Sequence, residues 1–194
     1  MSTHAQPLLS PAEYLAMERA SRDIKHEFFR GEIFAMAGGS RKHNLLALNL
    51  SGMLYNTLRD GPCETYSNDM RVLVHPSGLY TYPDLVVTCE QPRFEDEFGD
   101  TLLNPQLIIE VLSDSTESYD RGKKFEHYRR IESLVEYMLV AQDRPQIDLF
   151  SRSSDGSWQL TDASGLESAI RLASLEAVLP LAEIYARIEF PAEE

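Results

Sequence analysis

Residues 107–112 read Leu-Ile-Ile-Glu-Val-Leu, a nearly unbroken aliphatic run with one carboxylate inside it. Such a run is expected of a central strand covered on both faces, in a sheet packed between layers. A charge in that setting is costly to bury unless it is paired, hydrogen-bonded or metal-bound. Any fold for this chain therefore has to account for Glu110.

Periodicity and punctuation supply the other elements. Ser10-Pro11-Ala12-Glu13 is a capping box with proline at the first helical position, which predicts a short helix over 11–19. Strand-like runs at 25–29 and 32–36 surround Arg30-Gly31, a hairpin signal. Ser40 offers an N-cap after Gly38-Gly39, and Leu46, Leu50, Met53, Leu54 and Leu58 recur at helical spacing. Residues 41–59 should thus form a long amphipathic helix, ended by Gly61-Pro62. Further strands are expected at 70–74, 82–89 and 135–140, with a helix of mixed charge over 116–131. A second hairpin links 146–151 to 157–161. The acidic stretch 90–104 reads as a solvated loop, and 174–178 and 181–188 as short terminal helices split by Pro180. No repeat, linker or composition shift marks a second domain. Residues 1–194, with a core of about 10–188, are expected to form one α/β domain on a mixed central sheet.

An apolar share of 43% and a charged share of 25% belong to a folded globular chain. Two cysteines cannot make a secreted-type disulfide framework, and Cys89, in an apolar run, reads as a buried, reduced thiol. Residues 1–11 lack the basic start and apolar core of a signal peptide. No stretch approaches the ~20 apolar residues that span a bilayer, so a cytoplasmic protein without membrane contact is expected. The formal net charge of −13 argues against sequence-independent attraction to nucleic acid, which needs a basic face. Metal ions can still cancel carboxylate charge locally.

Tyr82-Pro83-Asp84 puts a second carboxylate at the mouth of an aliphatic strand. Asp120-Arg121-Gly122-Lys123-Lys124 puts a lysine on the helix after Glu110, with Tyr128 one turn beyond it. Two carboxylates on neighbouring strands can hold a hard divalent cation that keeps several waters. Such an ion lowers the pKa of a bound water and neutralises charge on a phosphate. A nearby lysine adds a point charge and can orient the attacking water. The residues alone leave plainer readings open. Asp84 could simply lead into a strand, Glu110 could pair with Lys124 or Arg71, and Lys124 could be a solvated helix lysine. His43 could be a surface histidine, Glu27 plain hairpin polarity, and Tyr128 and Tyr137 packing residues.

An aspartate in Pro-Asp, a glutamate in the next core strand and then a lysine resembles the PD-(D/E)XK restriction-endonuclease superfamily. The whole chain more closely resembles its Uma2 family, formerly a domain of unknown function, DUF820. The likeness runs through 26–32, 42–44, 68–72, 82–84, 109–113, 119–120, 124–129, 133–137 and 181–185. It implies a restriction endonuclease-like sheet flanked by helices, and hydrolysis of DNA phosphodiester bonds. It also implies that Asp84 and Glu110 bind Mg2+ (or Mn2+) and that Lys124 completes the catalytic set. The superfamily's lysine stands two residues after the glutamate, where this chain has Leu112, and Lys124 matches the helix position that serves in Uma2 proteins. Glu27, His43, Asp69 and Asp120 match further positions and are candidates to line the pocket. Arg121 and Lys123 are candidates for the positive rim of a nucleic-acid groove. A homodimer is expected, because cutting both strands of a duplex needs two sites. Two rival readings stand beside this one. They are a weakly active or inactive interaction protein on the nuclease scaffold, and a nuclease specific for RNA or for a nucleic-acid structure.

Overall fold

Ser10 Oγ accepts the Glu13 amide, and the Glu13 carboxylate accepts the Ser10 amide at 2.8 Å, so helix α1 (Pro11–Ala20) begins at the capping box. The computed structural model describes residues 8–190; the N-terminal stretch read for a signal peptide lies mostly outside the described residues. Strands β1 (His26–Phe29) and β2 (Glu32–Ala35) form the expected hairpin. Its two turn residues, Arg30 (φ 52°) and Gly31 (φ 91°), both take the left-handed conformation that tight hairpins require. Ser40 caps α2 (Arg41–Leu58), which buries Leu46, Leu50, Leu54 and Leu58 along one stripe.

Of the strand expected over 82–89, residues 85–88 form one, and residues 82–84 are the connection that leads into it from another sheet. Strands β3 (Glu64–Ser67), β4 (Arg71–Val74), β5 (Leu79–Thr81) and β6 (Leu85–Thr88) follow α2. β5 pairs with β4 across the Pro76-Ser77-Gly78 turn. The chain then leaves that sheet through Tyr82-Pro83-Asp84, and β6 joins another. Proline has no amide to continue a ladder, which suits Pro83 to the crossing point. The remaining elements are β7 (Thr101–Leu102), β8 (Leu107–Val111), α3 (Glu117–Tyr119), α4 (Phe125–Tyr128), β9 (Glu136–Val140), β10 (Gln146–Arg152), β11 (Trp158–Ser164), β12 (Ala169–Leu172), β13 (Ala177–Pro180) and α5 (Leu181–Ile184).

A mixed six-stranded sheet runs β11-β10-β9-β8-β6-β3, antiparallel except for the parallel pair β8–β9. A five-stranded sheet runs β2-β1-β5-β4-β7. The mixed sheet flanked by helices, with an N-terminal helix and hairpin, is the expected α/β architecture; the separate second sheet was not legible from strand patterns. The α2 leucines cover one face of the larger sheet together with Leu179, Leu181 and Ile184. Tyr128, Ile131 and Leu134 cover the other.

Four expectations need correction. Residues 116–131 are not one regular α-helix: a π-helical turn (Asp120–Lys124) separates α3 from α4. Residues 174–178 are not a helix either. Ala173–Leu175 make only a 3-10 turn, Glu176 takes a left-handed φ of 51°, and β12 pairs with β13 as a hairpin. Alternation decided this, since Ile170, Leu172, Ala177 and Leu179 point inward with period 2. Cys89 is not a free thiol: it is disulfide-bonded to Cys63, its counterpart when the β3–β6 register is carried one residue further. The acidic stretch 90–104 is not merely solvated. It contains β7, and Asp96 and Asp100 both hold the Arg19 guanidinium at 2.8 Å. Asp100 also lies 3.0 Å from buried Arg71, which bonds Tyr82 Oη at 2.7 Å.

The bond from Arg19 is the main reason that the Asp100 carboxyl is pulled down to about 2. A depressed carboxylate stabilises the fold above its unfolded value, about 3.9, and that contribution is lost as pH falls through its folded value. Asp100→Ala is expected to lower stability by roughly 1–3 kcal/mol at neutral pH, since it leaves Arg71 buried with less compensation. Urea unfolding of both proteins should show the difference at pH ~7 and little of it near pH ~2.

Candidate active site

Strand period decides where Glu110 points. Leu107, Ile109 and Val111 of β8 pack with the α2 leucines, whereas Ile108 and Leu112 pack against Tyr128 and Tyr137 on the opposite face. Glu110 belongs to this second face and is 4% exposed. The position two residues on, Leu112, shares that face but is absorbed into its apolar core. A lysine can therefore reach Glu110 from above. The π-helical turn supplies it: Lys124 Nζ lies 2.8 Å from Glu110 Oε1, 3.4 Å from Asp120 Oδ1 and 3.6 Å from Glu27 Oε1. Tyr128 Oη donates to the same Glu110 oxygen at 2.8 Å. Oε2 of Glu110 has no hydrogen-bond partner among the described residues, and so is available to a further ligand.

Asp84 approaches along the sheet. Extending the β6–β8 register (Leu85↔Ile109) by one residue sets Asp84 opposite Glu110. Its Oδ2 accepts the Val111 amide at 2.7 Å, and His43 Nε2 from the first turn of α2 lies 3.1 Å away. From the other sheet comes Glu27 on β1, which accepts from Thr81 Oγ1. The site thus lies where the two sheets meet, with Tyr82-Pro83-Asp84 as the hinge between them.

The electrostatics are those of too many acids around too few bases. Burial pushes the Glu110 carboxyl up to about 8, only partly offset by the charge of Lys124. Burial likewise raises Asp120. Lys124 would be discharged by its own burial, but Glu110, Tyr128, Glu27 and Asp120 outweigh that and hold it well above its ordinary value. His43 is raised chiefly by its bond to Asp84.

The site therefore unites Asp84, Glu110, Lys124, Glu27, His43 and Asp120. Asp69 is not drawn in; it is exposed and paired with Lys25 at 2.9 Å. Arg121 turns toward Glu117 (2.7 Å) and Asp148 (2.5 Å), while Lys123 is exposed. Arg71, a possible partner of Glu110, serves Asp100 instead. Two contributors escape a reading of the residues. Tyr128, whose spacing from Lys124 is visible, reads as packing until its hydroxyl is seen on Glu110. Thr81 carries no local signal at all.

No group of three or more His, Cys, Asp or Glu side chains is placed to hold a metal by itself among the described residues. The set does suit an ion that takes two carboxylates and completes its shell with water and phosphate oxygens, as magnesium does. The open Oε2 and the surplus of buried acid fit such a cation. No helix among the described residues is long and apolar enough to cross a membrane.

Comparison with known proteins agrees with this fold. The solved structure of an Anabaena variabilis protein described as "a putative nuclease belonging to DUF820" superposes with a TM-score of 0.74 at 14% identity, covering 92% of this chain and 98% of its own. Two uncharacterized Synechocystis proteins are similar in sequence. Slr1290 is 42% identical over 153 residues (78% of each chain), and sll1609 is 37% identical over 169 residues (87% of this chain, 95% of its own). The family model Uma2, described as "Putative restriction endonuclease", matches residues 11–183. With its buried glutamate, its hinge aspartate and this match over nearly all of its described length, the chain belongs to the Uma2 family of restriction endonuclease-like proteins.

Proposed function

We propose that the protein is a metal-dependent endonuclease that hydrolyses DNA phosphodiester bonds, with Asp84 and Glu110 holding Mg2+ (or Mn2+) and Lys124 facing the phosphate. The observation that carries this reading is the buried Glu110–Lys124 contact, set among Asp84, Glu27 and Asp120 with one glutamate oxygen open. A divalent cation there would lower the pKa of a coordinated water and offset charge on the phosphate. The protein's own residues do the positioning. Tyr128 fixes the Glu110 carboxylate, and His43 with the Val111 amide fixes Asp84. Lys124 sits on the apolar face of β8, where little water competes for its charge and where it can meet the phosphate oxygens. Cutting both strands of a duplex takes two such sites, which is the reason to look for a homodimer in solution.

A net charge of −13 favours one rival, an interaction protein on the same scaffold. The missing lysine at Leu112 weighs less for that rival, because Lys124 reaches Glu110 from the helix. Calorimetric titration with Mg2+ or Mn2+ separates the two readings. Wild-type protein is expected to bind the ion, and Asp84→Ala and Glu110→Ala to lose both binding and DNA cleavage while keeping the circular dichroism of the fold. Full cleavage by either variant refutes the assignment. A wild type that binds no ion, with or without DNA, favours the interaction protein.

The raised Glu110 carboxyl gives a pH signature. In metal-free protein it keeps a proton that the unfolded chain has lost above about pH 4.3, so native stability declines as pH rises toward about 8. A cation binding there must displace that proton. Affinity for Mg2+ should therefore rise by up to about tenfold per pH unit between roughly pH 6 and pH 8. The heat of binding should also vary with the ionisation heat of the buffer. Both dependences should flatten in Glu110→Gln, and their persistence there would assign the proton to another group.

A further inference from the structure

The rim of the site between Glu27 and Asp84 is built by one continuous piece of chain. β2 pairs with β1 so that Phe34 stands directly opposite Glu27, and opposed residues on neighbouring strands project from the same face. Glu27 in turn lies 3.6 Å from Lys124. From β2 the chain runs through Gly38-Gly39-Ser40 into the first turn of α2, where His43 meets Asp84. Gly39 packs so closely that a Cβ there would come within 2.8 Å of the His43 ring. The segment from Phe34 to His43 thus borders the acidic cluster. On it Phe34 is 49% exposed, a large aromatic ring on an outer strand with no neighbour on its far side among the described residues. A second ring, Tyr119, is 37% exposed and immediately precedes Asp120, whose carboxylate lies 3.4 Å from Lys124 Nζ.

Several nearby cations are already held by carboxylates: Lys25 pairs with Asp69, Arg121 with Glu117 and Asp148, and Lys124 lies within the cluster itself, while Arg41, Lys42 and Lys123 make no ion pair among the described residues. The chain as a whole carries −13. Duplex DNA, which hides its bases and offers mainly phosphates to a protein without a groove reader, would bind such a surface weakly. An unpaired base offers a π-face, which an exposed aromatic ring can stack on regardless of charge and sequence.

We infer that Phe34 is a base-stacking residue at the mouth of the site, and that the substrate is a DNA strand with unpaired bases next to the bond that is cut. The inference rests on the nuclease reading above. Phe34 is a substrate-positioning residue, since its ring touches a base and not the reacting atoms. Tyr119 stands on the same rim as a second platform.

The test is fluorescence anisotropy with labelled single-stranded oligo-dT and with a duplex of the same length, in Ca2+ to hold back cleavage. It compares wild type, Phe34→Ala, Phe34→Leu and Phe34→Trp. Wild type is expected to bind the single strand more tightly than the duplex. Phe34→Ala and Phe34→Leu should weaken single-strand binding by about tenfold or more, a typical effect of losing one aromatic stack. Phe34→Trp should keep it, and duplex binding should not change in any variant. Cleavage of the single strand in Mg2+ should lose KM more than kcat in Phe34→Ala. Equal binding of single strand and duplex, or a Phe34→Ala that binds the single strand like wild type, overturns the inference. If Glu110→Ala still abolishes cleavage in that case, the nuclease reading survives alone. A wild type that neither binds nor cuts any DNA overturns both.

Discussion

Lys124 and Glu110 are buried 2.8 Å apart, and much of the architecture exists to make that contact tolerable. Taking an ionisable group's charge out of water costs several kcal/mol after relaxation, and only close geometry with further hydrogen bonds recovers it. The chain provides these from every side. Tyr128 donates to the glutamate, and Asp120 and Glu27 share the lysine. The result still leaves more acid than base, which is a poor way to stabilise an apolar core and a sound way to receive a cation. Stability and function pull apart at this point, as buried ionisable groups in clefts commonly make them do.

The junction of the two sheets explains why residues far apart in sequence converge. A hairpin and a cross-sheet connection bring Glu27 and Asp84 to the same edge, and β8 passes beneath with Glu110. Because Pro83 ends one ladder before the other begins, the carboxylate after it is not committed to either sheet. Its oxygens are left to face His43 and the Val111 amide.

What could be read from the residues depended on whether a signal was local. The α2 helix, the first hairpin and the aliphatic strand with its glutamate each announce themselves within a few residues, and each is found where expected. Asp84 and Glu110 stand out because a charge beside or inside an apolar run is conspicuous. The roles of Thr81 and of Arg71 depend on partners brought near by tertiary packing, so no window of sequence contains them. Residues 174–178 misled because Ser-Leu-Glu-Ala is composed of helix-compatible residues. A left-handed Glu176 and inward alternation across Pro180 overrode that propensity. Cys63 and Cys89 are 26 residues apart, and only the pairing of β3 with β6 makes them neighbours.

With Lys124 reaching Glu110 from the helix, Leu112 is free to pack, but the cluster is tied to an unusual stretch of backbone. Asp120–Lys124 is a π-helical turn, which carries one more residue per turn than its flanks would if they ran on as α-helix. Were one residue removed there, everything after it would turn by about 100° around the helix axis. Lys124 would swing off Glu110 while Tyr128 left its hydroxyl contact at the same moment. The bulge is thus a phase setting for the whole segment, and the site tolerates changes of side chain along this helix more readily than changes of length.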